Sequence, residues 1–79
     1  MVQDRMLFRR CREAMGLSAE GMARVLWVGN GRTVRRWEAG EREISGVAWR
    51  ALSLILHERG DTELEAEILA MAAERREAA

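Results

Sequence analysis

The sequence holds no proline, no tyrosine, a single phenylalanine, one cysteine and one histidine in 79 residues. Each shortage excludes something. A lone cysteine, Cys11, cannot close an intramolecular disulfide, so an oxidising compartment is not implied. One cysteine and one histidine, His57, cannot build a tetrahedral zinc site without carboxylates at suitable positions. There is no apolar run near the roughly 18 residues of a membrane-spanning helix. The polar start, Gln3-Asp4-Arg5, does not read as a signal peptide, so a cytoplasmic protein is expected. No histidine pairs with a nearby acid and nucleophile, no glycine-rich phosphate loop follows a strand, and no metal cluster is spelled out. An enzyme is therefore not expected, nor a cofactor, a metal or a small-molecule ligand.

Lysine is also missing: all thirteen basic residues are arginine, against thirteen acids, for a net charge of zero. The balance hides an asymmetry. Residues 1–50 carry ten arginines and six acids, or +4, and residues 51–79 carry three and seven, or −4. The first part suits a polyanion and the second does not. The planar fork of arginine matches phosphates and guanine edges.

A chain of this length implies one small domain, which buries only about 60% of its unfolded surface and often gains stability by association. Without proline, glycine supplies the punctuation. Leu7, Cys11 and Ala14/Met15 recur at helical spacing until Gly16. Ser18 is a natural N-cap for a second helix with Met22, Ala23, Val25 and Leu26 on its apolar face. Gly29-Asn30-Gly31 is a turn, with Asn30 as the cap of a third helix from Gly31 to about Ala39 and Gly40 as its stop. Glu41 to Ile44 reads as a polar loop. Ser45 caps a fourth helix with Val47, Ala48, Ala51, Leu52, Ile55 and Leu56 as its stripe, and Gly60 ends it. Asp61 or Thr62 opens a fifth helix with Leu64, Ile68, Leu69 and Met71/Ala72 inward. The tail after Ala72 is expected to fray. No strand-like alternation appears, so the fold class is all-α.

Function is sought in the second and third helices. Two short helices joined by a tight turn make a helix-turn-helix, whose second helix must be anchored by a few apolar residues and cationic on its outer face. In Arg32-Thr33-Val34-Arg35-Arg36-Trp37, Val34 and Trp37 face inward at i and i+3. Arg32 and Arg36, at i and i+4, share an outer stripe.

Leu17 to Leu26 followed by Thr33-Val34-Arg35-Arg36-Trp37-Glu38-Ala39-Gly40 resembles the Cro/C1-type (XRE) helix-turn-helix domain of phage and bacterial repressors, over about residues 5–57. The resemblance implies a five-helix, lambda-repressor-like domain that binds operator DNA as a homodimer and regulates transcription. By position it implies base contacts from Arg32, Arg35 and Arg36. Ser18 and Asn30 would cap their helices and touch phosphates, and Thr33, Arg42 and Arg24 would also meet the backbone. For Glu38 it implies an internal ion pair with Arg12. Three positions depart from the family: the turn from Trp27 to Gly31 is one residue longer, Ala19 replaces a polar residue, and Gly31 stands where many members read a base.

Residues 1–58 are thus expected to form the DNA-binding domain and 59–79 a C-terminal helix for packing or dimerisation. Cys11 reads as a buried small hydrophobe rather than a reactive thiol, and His57 as structural. Trp37 reads as core, Trp27 and Trp49 as core or dimer contacts. Arg24 is open between solvated face and phosphate contact, and Arg9 and Arg10 read as solvated face. The acidic fifth helix should lie away from DNA. The expected function is a repressor of phage or mobile-element type acting on an inverted repeat of double-stranded DNA. The alternative is an interaction module, such as an antitoxin or inhibitor, that binds a partner protein.

Overall fold

A computed structural model describes the backbone of residues 2–78 and the side chains of residues 4–74. Among the described residues it contains five helices and no strand: α1 (Val2–Ala14), α2 (Ala19–Leu26), α3 (Gly31–Glu38), α4 (Gly46–Arg59) and α5 (Thr62–Ala78). The helix starts follow local chemistry. Ser18 Oγ accepts the Gly21 amide at 3.0 Å, Asn30 Oδ1 the Arg32 amide at 2.9 Å, and Ser45 Oγ the Ala48 amide at 3.1 Å. Each bond satisfies a first-turn donor that the helix itself cannot. Asp61 does the same for Leu64 at 3.3 Å. Gly60 ends α4 in the left-handed region, with φ 79°.

The helices meet around an aromatic centre. Phe8 of α1 is fully buried and stands edge-on to Trp37 of α3 and Trp49 of α4, with ring centroids 5.6 and 5.7 Å apart. Edge-to-face pairs of this kind add to the burial of the rings themselves. Leu7, Cys11, Met22, Leu26, Val34, Leu52 and Leu56 complete the core, and Leu64 and Ile68 bring α5 into it. Arg10 of α1 grips Glu67 of α5 with two bonds of 2.9 Å, and His57 Nδ1 of α4 lies 3.1 Å from the Glu65 carboxylate. No helix among the described residues is long and apolar enough to cross a membrane.

Several expectations about burial need correction. Val47 is 80% exposed, and Leu69, Ala14 and Val25 of α2 are exposed. On α4 the buried residues Ala48, Trp49, Leu52 and Leu56 define one side, and at about 100° per residue Val47 falls on the other, together with Leu54. Ile44, read as part of a polar loop, is buried and anchors the loop between α3 and α4 to the core. Trp27, read as core or dimer contact, does not enter the core: it is 93% exposed. The segment after Ala72 continues as helix through Ala78.

Candidate nucleic-acid interface

α3 is short, and almost everything inward about it is concentrated in two side chains. Val34 is fully buried and Trp37 nearly so. With those anchors set, the helical period turns Arg32, Arg35 and Arg36 outward, and all three are exposed. They are not equivalent. Arg35 Nη1 donates to Glu20 Oε1 of α2 at 2.8 Å, and this bond is the main reason the Glu20 carboxyl is held below its ordinary value. The guanidinium groups of Arg32 and Arg36 have no hydrogen-bond, ion-pair or ring partner among the described residues. Arg32 and Arg36, expected on one outer stripe, are thus two free guanidiniums, and Arg35 is tethered to the neighbouring helix.

The other end of α3 is clamped by α1. Arg12 meets Glu38 through a fork, Nε at 2.7 Å and Nη2 at 2.9 Å, and its Nη1 donates to the Leu17 carbonyl at 3.0 Å. The pair is largely buried, with side chains 18% and 14% exposed, and the bond to Glu38 raises the Arg12 pKa. This is the ion pair the resemblance implied. A second clamp had no sequence signal. Arg5 Nη1 donates to the Ala39 carbonyl, just past the end of α3, at 2.7 Å. Gly40 follows with φ 79°, and a Cβ there would run into that guanidinium. A cation at a helix C-terminus also suits the negative end of the helix dipole. Two arginines of α1 thus hold the exit of α3, and its first residue, Gly31, is buried.

The remaining expected contacts scatter around this helix. Asn30 caps it, and Thr33, half-buried, donates its amide to the same Asn30 oxygen at 3.4 Å. Ser18 caps α2, so its hydroxyl oxygen is already engaged as an acceptor. Arg24 is exposed on α2, and Arg42 is exposed in the loop after α3, between Glu41 and Glu43. Those two acids offset Arg42, which weakens that loop as a phosphate contact. No group of three or more histidine, cysteine, aspartate or glutamate side chains among the described residues could hold a metal ion. The arrangement is a rigidly anchored helix offering guanidinium groups to an anion.

Comparison with protein-family models, with curated proteins and with solved structures found no match.

Proposed function

We propose that this chain is a sequence-specific DNA-binding protein of the Cro/C1 helix-turn-helix type, in which α2 and α3 are the two helices of the motif and α3 enters the major groove. One observation carries the reading. Arg32 and Arg36 are exposed and, among the described residues, unpartnered on the outer stripe of a helix whose inner side, Val34 and Trp37, is sealed in the core. A guanidinium held free in this way can take guanine O6 and N7 in a bidentate contact. Arg35 adds a contact once it leaves Glu20, and Asn30, Thr33, Arg24 and Ser18 lie on the elements that would flank the phosphates. The acids of α5 belong to the helix packed against α1 and α4, which suits a face turned away from DNA. The function that follows is transcriptional regulation, in the simplest case repression by a phage or mobile-element regulator.

A homodimer is part of the proposal. Val47 and Leu54, seven residues apart on one side of α4, and Leu69 on α5 are exposed apolar side chains that a second copy would cover. Two recognition helices about 34 Å apart would then read an inverted repeat. The test is selection of binding sites from a random-sequence duplex library, followed by a mobility-shift titration on the selected duplex. Recovery of an inverted repeat with half-sites about one helical turn apart supports the proposal. Recovery of no preferred sequence overturns it in favour of a partner-binding module.

A further inference from the structure

Trp27 is where the fold departs furthest from its own local rules. It is the only non-glycine residue with positive φ among those described, at φ 60° and ψ 35°. That left-handed conformation suits glycine, which lacks the Cβ that crowds the backbone there. Its indole is 93% exposed, whereas Trp37 and Trp49 are buried against Phe8. Backbone sterics and apolar exposure both favour glycine at this position, and the core draws nothing from the ring. A large aromatic side chain in a sparsely populated backbone conformation, outside the core, is placed for a contact outside the chain.

The surroundings state the chemistry of the partner. Trp27 caps the C-terminus of α2, one turn after the exposed Arg24 and four residues before α3 begins. From Gly21 to Trp37 the chain has four arginines and no acid; Glu20 of α2 holds one of them, Arg35, and leaves Arg24, Arg32 and Arg36. A partner that satisfies cations and an aromatic face together is a nucleic acid, whose backbone is anionic and whose deoxyriboses present C–H faces on which an indole can pack. We infer that Trp27 is a DNA-contacting residue, its indole packing on a deoxyribose of the strand that flanks α3. The inference rests on the DNA-binding proposal and adds a non-electrostatic contact to it.

The test uses the full chain with a short labelled duplex of random sequence at low salt, beside Trp27→Gly and an Arg32→Ala/Arg36→Ala variant. Trp27→Gly removes the indole and relieves the backbone at once. It is expected to unfold at the same or a higher temperature than the wild type and to bind the duplex roughly tenfold more weakly. In the wild type, acrylamide quenching reports on Trp27 because the other two tryptophans are buried, and saturating duplex is expected to suppress it. Full duplex affinity of Trp27→Gly alongside weakened binding of the arginine variant overturns the inference and leaves the α3 proposal standing. Absence of duplex binding by the wild type overturns both. Quenching protection that grows with protein concentration in the absence of DNA also overturns it, by making Trp27 a contact between copies.

Discussion

Gly31 leaves open the space that Glu20 occupies. A Cβ on Gly31 would collide with the Glu20 carboxylate and lie 3.0 Å from the Glu20 backbone nitrogen. Gly31 is the first residue of α3 and is buried. The start of α3 therefore packs directly on the start of α2, and the exposed carboxylate beside that junction is the one that holds Arg35. A position that in the sequence looked like a missing base-reading side chain is a packing requirement between the two helices.

The Gly31→Ala variant tests that packing. The carboxylate can swing away, but the backbone nitrogen cannot. Overpacking of about 1–3 kcal/mol, partly offset by alanine's better helix propensity of up to about 1 kcal/mol, leaves a net loss of about 1 kcal/mol in urea denaturation. Unchanged or increased stability would mean that α2 and α3 do not approach this closely.

Arg12 and Glu38 are expected to be coupled. Arg12→Met strands a mostly buried carboxylate, and Glu38→Leu strands a guanidinium. Fully buried pairs lose about 3–5 kcal/mol on such a change; with both partners still touching solvent, about 2–3 kcal/mol is expected. The double variant should be less destabilised than the two single losses summed, by at least about 1 kcal/mol. Strict additivity in a denaturant double-mutant cycle would show that the fork contributes nothing.

Arg32 and Arg36 should be separable from stability. Neither guanidinium has an intramolecular partner among the described residues, so alanine at both leaves the unfolding temperature unchanged. Affinity for the selected duplex should fall by about 1–3 kcal/mol for each base-reading arginine removed. Arg35→Ala should cost less, since Arg35 must first give up Glu20. Titrations at several salt concentrations sort the roles. Removing a phosphate-binding side chain lowers the slope of log K against log salt by about 0.9, and removing a base-reading one leaves the slope alone. If Arg35→Ala is the most damaging of the three, the tethered arginine is the principal reader.

Cys11 should be inert in the folded protein. Burial is the main cause that pushes its thiol up to about 11, and the thiolate is the reactive form. A thiol reagent at pH 8 is expected to label it only when denaturant is added. The linkage sign is also set. The unfolded thiol ionises near about 8.5, so above that pH the unfolded chain binds fewer protons than the folded one, and stability falls as pH rises towards 11. Rapid labelling without denaturant would place Cys11 outside the core.

The local features of this protein were legible because they depend on neighbours in the chain. Ser18, Asn30, Ser45 and Asp61 cap helices through amides two or three residues away. Gly40 and Gly60 stop them, and Val34 and Trp37 are inward by spacing alone. The same spacing misjudged Val47 and Leu69, because a period says which residues share a side but not how wide the covered side is.

The amino-acid order alone thus determined five helices, the caps of four of them, their breaks and the outward turn of the α3 arginines. Only the tertiary structure decided which of those arginines is free. Glu20 reaches Arg35 across 15 residues, Arg12 reaches Glu38 across 26 and Arg5 reaches the Ala39 carbonyl across 34. Ion pairs between distant helices depend on how the helices dock, and docking is set by the volumes of Phe8, Trp37, Trp49 and their neighbours acting together, which no stretch of sequence read by itself contains.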